Sequence, residues 1–152
     1  MQQLFTFGTN DALLAELIAQ QVRFLVIGGL AVKFYAAQRE ADDLDLLIEQ
    51  TPKNAERLFK AFRHLRLIPQ FSSEVIATPG YRAQHLPLKD VYYADLITRP
   101  DIEFCSEWER ALEALIWQNR VRVASRELLL ALKSNSEREK DITDVALLNA
   151  IA

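Results

Sequence analysis

The chain has 152 residues, with 18 basic and 21 acidic side chains, so its formal net charge at pH 7 is −3. A chain of this length buries about 70% of the surface that its unfolded form exposes, so we expect one domain over residues 1–152. Half of the residues are apolar. Glycine and proline occur at about half their average frequency, which disfavours a turn-dense all-β protein and a disordered tail.

Several classes of protein are excluded by residue type. The longest uncharged apolar run, residues 24–32, is too short to span a bilayer. No basic residue precedes Arg23, so we expect no secretory signal. Cys105 is the single cysteine, which excludes an internal disulfide and a multi-cysteine zinc site. His64 and His85 lie in unrelated segments and are predicted to be surface residues. The simplest expectation is a cytoplasmic protein without membrane contact.

Hydrophobic periodicity predicts alternating helices and strands along the first half. Thr9 and Asn10 are capping candidates for the first helix. The predicted elements are a helix over residues 11–21, a buried strand over 24–27, a short helix after a glycine pair, an alternating strand over 43–48 and an amphipathic helix opened by Thr51 and Pro52.

The second half predicts strands first and helices later. The predicted elements are two or three strands within residues 70–98, one of them over 91–97, a helix opened by a capping box at 106–109, a short strand over 121–123, a helix over 125–133 and a last helix opened by a capping box at 136–139.

The most informative stretch joins a glycine pair to two aspartates. Asp43 and Asp45 point the same way from a strand, about 7 Å apart. Burying unpaired carboxylates is costly, so a divalent cation is their natural counter-charge, and oxygen ligands suit Mg²⁺. Gly28 and Gly29 at a strand-to-helix turn let backbone N–H groups approach a phosphate. Together these features predict a nucleoside triphosphate site. Asp42 is expected to project to the opposite side.

The spacing of these residues resembles a known signature. An apolar residue and two glycines are followed, after thirteen residues, by Asp-Leu-Asp-Leu at 43–46. This pattern is similar to that of the DNA polymerase β-like nucleotidyltransferase superfamily, which adds a third carboxylate on a later strand, matched by Asp95. The chain also resembles the minimal nucleotidyltransferases, including AbiEii-type toxin relatives. The positions that carry this second resemblance are Arg39, Lys133, Arg138, Lys140 and Asp141, whereas Ala41 replaces a hydroxyl residue.

The resemblance implies an α+β nucleotidyltransferase fold, in which a mixed, twisted sheet is flanked by helices. It implies two-metal transfer of a nucleoside monophosphate from an NTP to an RNA or tRNA, protein or small-molecule hydroxyl, with release of pyrophosphate. A cognate toxin or antitoxin, or a second copy of the chain, is an implied partner. The implied roles are Mg²⁺ binding and catalysis for Asp43, Asp45 and Asp95, and nucleotide binding for Gly28, Gly29, Arg39, Lys133 and Lys140.

Simpler interpretations stay open for each motif. The two aspartates also suit a solvated edge strand, the glycine pair a tight turn, and Asp95 an ion pair. A basic helix face suits either a nucleic-acid acceptor such as tRNA or a solvated surface, and it comprises Lys53, Arg57, Lys60, Arg63 and Arg66. The alternative functions are a non-catalytic nucleotide-binding or interaction module in a toxin–antitoxin-like complex, and a purely structural domain.

Overall fold

A mixed β-sheet of seven strands forms the centre of the fold, which a computed structural model describes for residues 1–88 and 92–151. The strands are β1 (Gln3–Leu4), β2 (Phe24–Ile27), β3 (Leu44–Ile48), β4 (Gln84–Pro87), β5 (Ala94–Thr98), β6 (Leu112–Ile116) and β7 (Asn119–Val123). Their order across the sheet is β1-β6-β7-β2-β3-β5-β4. The predicted α+β fold class is confirmed.

The directions of the central strands determine which ends meet. Strand β2 is antiparallel to β3, and β3 is parallel to β5. The carboxyl end of β2 therefore lies beside the amino ends of β3 and β5, at one edge of the sheet. On its other side β2 runs parallel to β7, which forms an antiparallel hairpin with β6.

Six of the seven helices within the described residues pack in two groups. Helix α3 contacts both α1 and α4, and α2, α6 and α7 form a second group. The helices are α1 (Asn10–Ala19), α2 (Gly28–Tyr35), α3 (Pro52–His64), α4 (Glu74–Ala77), α5 (Phe104–Arg110), α6 (Arg126–Lys133) and α7 (Glu139–Asn149). None of the described helices is both long and apolar enough to cross a membrane.

Local sequence explains the best-defined elements. All four residues of β2 are buried, as expected for a strand covered on both faces. Helix α3 begins where Thr51 accepts a hydrogen bond from the Asn54 backbone at 3.1 Å, with Pro52 at the first helical position. Ser125 caps α6 in the same way through the Leu128 backbone. These predictions are confirmed.

Other elements differ from the sequence prediction. Strands β1 and β6 were not predicted, and the short helix α4 lies in a segment where we expected strands. Helix α5 begins two residues before its predicted capping box, because Glu103 is the side chain that caps it. Helix α7 begins at Glu139 rather than at the box over 136–139. Strand β5 covers most of the strand predicted over 91–97, whose first residue lies outside the described residues.

Candidate active site

The glycine pair joins β2 directly to α2. Gly28 has a φ of +72°, a conformation that L side chains rarely adopt. A Cβ atom at Gly28 would lie 2.1 Å from Oδ2 of Asp45, and one at Gly29 would lie 2.8 Å from Nη2 of Arg39. Residue 28 therefore needs glycine so that Asp45 can pack on the backbone, whereas a Cβ atom at residue 29 would meet only the flexible end of Arg39. Within the described residues, no side-chain cap accepts a hydrogen bond from the first backbone N–H groups of α2.

Two of the predicted metal ligands lie side by side. Asp45 on β3 is in register with Asp95 on the neighbouring parallel strand β5, and with Ile27 on the opposite side. Neighbouring strands are about 4.8 Å apart, and laterally paired residues of a parallel sheet share a face. Asp43 precedes β3 and is exposed. Three carboxylates thus lie near the first residues of β3 and β5, at the same end of the sheet.

Negative charge accumulates at Asp45. Burial, then the charge of Asp95 and then that of Asp43 raise the pKa of the Asp45 carboxyl to about 6. His85 and Lys133 act in the opposite direction but do not outweigh these effects. A carboxyl with this pKa sits where the protein supplies too little positive charge, which is the electrostatic condition that favours a bound cation.

Asp95 has one oxygen without a partner. Its Oδ2 lies 3.2 Å from Nε2 of His85, which projects from the neighbouring strand β4. Its Oδ1 is buried and accepts no hydrogen bond from any described residue. A buried carboxylate oxygen without a donor is costly, and a cation would satisfy it. His85 is exposed, as predicted, but its contact with Asp95 was not predicted.

The described side chains do not by themselves form a complete metal site. Within residues 1–88 and 92–151, no group of three His, Cys, Asp or Glu side chains is arranged to hold a metal ion. The Asp45–Asp95 pair supplies two oxygen-bearing groups, and the unpartnered Oδ1 of Asp95 is one of them. The exposed side chain of Asp43 lies outside this pair.

A buried aspartate that we did not predict connects two of the predicted basic residues. Asp144 on α7 is completely buried and accepts hydrogen bonds from Nε of Arg39 at 2.7 Å and from Nζ of Lys133 at 3.0 Å. Burial alone would raise the pKa of Asp144, but the hydrogen bonds and charges of Arg39 and Lys133 outweigh it and lower that pKa. Lys133 also bonds Asp141 at 3.0 Å. The network joins the segment before β3 to α6 and α7.

A cavity of about 410 Å³ lies over the glycine pair. Seven of the eight predicted site residues line it, and the eighth, Asp95, lies beside Asp45. The lining comprises Phe7, Gly28, Gly29, Arg39, Glu40, Ala41, Asp42, Asp43, Asp45, Lys133, Arg138, Lys140 and Asp141. Asp42 belongs to this lining although we expected it to project away, because strand alternation begins only at Leu44. Cations and carboxylates therefore line the same cavity.

The amino-terminal segment binds the starts of both carboxylate-bearing strands. The Asn10 side chain is completely buried, donates to the Tyr93 carbonyl at 3.0 Å and accepts from the Tyr93 backbone N–H at 3.0 Å. The hydroxyl of Thr6 donates to the carbonyl of Asp42. The exposed rings of Phe7 and Tyr93 stack with centroids 4.3 Å apart, beside the cavity. Asn10, predicted only as a cap, thus holds the residue two before Asp95.

Comparison with known proteins gives the fold. No family model matches the chain, and no curated protein is similar to it in sequence. Among solved structures, the lincomycin-bound crystal structure of the lincosamide antibiotic adenylyltransferase LnuA superposes with a TM-score of 0.59 at 16% identity, over 98% of this chain and 99% of that one. A second is an antigenic nucleotidyltransferase-like protein from Paracoccidioides brasiliensis, with a TM-score of 0.52 at 19% identity, over 90% of this chain and 71% of that one. At these identities the likeness concerns architecture alone: the chain has the fold of nucleotidyltransferases.

Proposed function

We propose that the protein is a Mg²⁺-dependent nucleotidyltransferase that moves a nucleoside monophosphate from an NTP to an acceptor hydroxyl. The observation that carries the proposal is the side-by-side register of Asp45 and Asp95 next to the Gly28 turn. This pair combines a carboxyl whose pKa is raised by burial and by its acidic neighbours with a carboxylate oxygen that accepts no hydrogen bond from any described residue. The nucleotidyltransferase fold of the chain supports it further.

The metal ligands in this proposal are Asp43, Asp45 and Asp95. Asp43 is exposed and completes the set by a change of side-chain rotamer. Mg²⁺ bound there supplies charge neutralisation for the triphosphate and for the developing charge on the reacting oxygens. The three aspartates orient the reacting groups along the edge where β3 and β5 begin.

The NTP occupies the cavity above the glycine pair. The uncapped N–H groups at the start of α2 bind the β- and γ-phosphates, as helix N-termini commonly do. Lys133 and Arg39, fixed by Asp144, and Lys140 at the cavity wall contribute positive charge to the triphosphate.

The transfer is an in-line displacement at the α-phosphorus. The acceptor oxygen forms a bond to phosphorus while the bond from phosphorus to the oxygen that bridges to the β-phosphate breaks, and pyrophosphate leaves. The Asp95 carboxylate, whose Oδ1 accepts no hydrogen bond from any described residue, orients the acceptor hydroxyl or receives its proton. His85 contacts the other oxygen of the same carboxylate and holds it in place.

The acceptor and the partners belong to the finer part of the proposal. A small-molecule hydroxyl is favoured by the likeness to LnuA, whose lincosamide substrate is a small molecule. An RNA, tRNA or protein acceptor, as in an AbiEii-type minimal nucleotidyltransferase, is the other branch, with a cognate toxin or antitoxin or a second copy as partner. One cysteine and no disulfide suit the reducing cytoplasm.

The deciding experiment incubates the protein with Mg²⁺, each α-labelled NTP, and acceptors of three kinds: tRNA, protein extracts and hydroxyl-bearing small molecules. Label transfer and pyrophosphate release are expected for the wild type and for the matched control Asp101→Asn, whose exposed carboxylate pairs with Arg99 elsewhere. Asp45→Asn and Asp95→Asn are expected to lose at least about 100-fold in rate.

The same experiment tests the alternative of a non-catalytic nucleotide-binding module. Calorimetric NTP binding that requires Asp45, without transfer to any acceptor, would favour that module over the enzyme. If neither Mg²⁺ nor any NTP binds at millimolar concentration, the site assignment is wrong. Transfer that survives in both aspartate variants would locate the chemistry elsewhere in the chain.

A further inference from the structure

A second cavity, of about 370 Å³, lies at the other end of β2 from the candidate active site. Arg23 immediately precedes β2, whereas Gly28 immediately follows it. Four arginines and a tryptophan line this cavity, which we call the arginine cavity: Arg23, Arg57, Arg120, Arg122 and Trp108. Its volume falls within the range of small-molecule sites in proteins.

Strand and helix geometry bring the four arginines together. On β7, Val121 and Val123 are buried, so the alternating residues Arg120 and Arg122 share the other face. Arg57 comes from α3, and Arg23 from the turn before β2. These three parts of the chain are far apart in sequence, so the tertiary fold creates the cluster.

The positive charge of the arginine cavity is only partly neutralised. Its one acidic lining residue, Glu113, lies 3.5 Å from Arg120, and Glu49 lies 3.5 Å from Nη1 of Arg23. Arg122 and Arg57 instead donate to carbonyl groups, those of Trp108 at 2.8 Å and Gln21 at 3.4 Å. Four guanidinium groups thus face two carboxylates, in a protein whose net charge is negative.

Trp108 fixes two of these guanidinium groups. The Cζ atoms of Arg23 and Arg122 lie 4.6 Å and 4.3 Å from the centroid of its ring. Such contacts hold guanidinium groups in place and lower the entropy that they lose on binding a ligand. Nε of Arg23 is buried and has no acceptor among the described residues. A cation with an unused buried donor gains more from an added anion than a fully bonded one does.

The ligand chemistry follows from the guanidinium groups. Arginine presents planar sets of donors that match the oxygens of phosphate, and several arginines together favour a group that carries more than one acceptor oxygen and full negative charge. Lys53 and Lys60 project from the same face of α3 as Arg57, four residues before it and three after it. This basic face, noted in the sequence, leads to the arginine cavity.

We propose that the arginine cavity is a second binding site, for the phosphate group of a nucleotide. That group comes either from a free nucleotide or from one unit of a nucleic-acid strand that also lies along the basic face of α3. The site is separate from the candidate active site and does not depend on the proposed function.

The test uses the full chain with Trp117→Phe, which leaves Trp108 as the only tryptophan reporter. AMP and a short oligothymidylate are titrated in EDTA at low salt, and Trp108 fluorescence is followed. Saturable binding that weakens as salt is added is expected. Arg120→Glu should weaken it by about tenfold or more, because it replaces a charge-assisted donor with a repelling carboxylate.

Two further variants make the result specific. Arg110→Glu is the matched charge reversal on α5, at an exposed residue outside the arginine cavity, and should change the affinity less than twofold. Glu113→Gln removes the one lining carboxylate and should tighten binding, a result that unfolding cannot produce. Lys140→Glu, which reverses a positive charge of the candidate active-site cavity, should leave this binding unchanged, which separates the two sites.

The source of the phosphate follows from the two probes. Tighter binding and a steeper salt dependence for the oligothymidylate identify a strand, and equal affinities identify a free nucleotide. The proposal is overturned if neither probe binds, if Arg120→Glu and Arg110→Glu weaken binding equally, or if Glu113→Gln weakens it.

Discussion

Asp45 packs so closely on Gly28 that a Cβ atom at residue 28 would lie 2.1 Å from its Oδ2 atom. The Asp45 carboxylate therefore occupies the space that any side chain at residue 28 would need. The positive φ of Gly28 adds a second reason for glycine, independent of the first.

Gly28→Ala is therefore expected to lower the free energy of unfolding by about 2–4 kcal/mol, through backbone strain and displacement of Asp45. Denaturant unfolding measures this effect. Gly8→Ala is the matched control, because a Cβ there meets no atom within 4 Å. Gly29→Ala should cost much less, since it displaces only the flexible end of Arg39. Equal losses at all three glycines would contradict this explanation.

Asp45→Asn is expected to stabilise the protein in the absence of metal. Because the folded pKa of Asp45 is raised to about 6, the folded state favours the neutral carboxyl; this contribution is complete below the unfolded pKa and is lost as pH rises through 6. In EDTA at pH 8 the variant should gain about 1–3 kcal/mol over the wild type, and the gain should shrink towards pH 4. Denaturant unfolding across this pH range provides the measurement.

Added Mg²⁺ gives a second readout for the same residue. Wild-type Tm at pH 8 should rise with Mg²⁺ concentration, because a ligand that binds only the folded state stabilises it. The Tm of Asp45→Asn should rise far less. A rise of equal size in both proteins would place the bound cation away from Asp45.

Asp144→Asn is expected to have the opposite pH dependence. The folded pKa of Asp144 is lowered, so its contribution is present above the unfolded pKa and is lost as pH falls through the folded value. At pH 7 the variant should lose about 2–4 kcal/mol, because Arg39 and Lys133 keep their charges without a buried partner. Urea unfolding at a series of pH values from 7 downward should show a loss that shrinks as the pH falls below the unfolded pKa and through the lower folded pKa of Asp144.

The matched control is again Asp101→Asn. Asp101 bonds Arg99 at 2.7 Å, much as Asp144 bonds Arg39, but it is exposed. Exposed ion pairs contribute at most about 1 kcal/mol, so this variant should stay near the wild type. If both substitutions cost the same, burial is not what makes the Asp144 network important.

Helix capping offers a comparison between two threonines. Thr51 accepts a hydrogen bond from the Asn54 backbone, whereas the Thr9 side chain caps nothing at the start of α1. Thr51→Ala should therefore cost about 1 kcal/mol of unfolding free energy, and Thr9→Ala only a few tenths. Thermal unfolding of the two variants is sufficient, and a larger loss for Thr9→Ala would be incompatible with these caps.

Hydrophobic periodicity and capping residues correctly predicted the elements whose local sequence preference matches their structure. The buried run of β2 and the capped helices α3 and α6 lie where periodicity placed them. Strand β6 was missed because Leu-Glu-Ala-Leu-Ile consists largely of good helix formers, and it becomes a strand through pairing with β1 and β7. Short-range preference carries no information about such partners.

The candidate site was predictable to a similar extent. The spacing of the glycines and aspartates indicated which residues to consider, and the structure places them around one cavity. Asp144 was not predicted because Arg39, its partner, is 105 residues away. His85 was not predicted because its contact with Asp95 depends on the pairing of β4 with β5. Both roles arise from long-range contacts.

The hydrogen bonds of Thr6 and Asn10 connect the first ten residues to Asp42 and Tyr93. Asp42 immediately precedes Asp43, and Tyr93 lies two residues before Asp95. Proteolytic removal of these ten residues, or a rigid fusion to them, would therefore change the positions of the Asp43 and Asp95 carboxylates, although none of the ten residues is acidic. An affinity tag at residue 1 therefore needs a flexible spacer. If cleavage within residues 1–10 abolishes the rise of Tm with Mg²⁺, the hydrogen bonds of Thr6 and Asn10 have been lost.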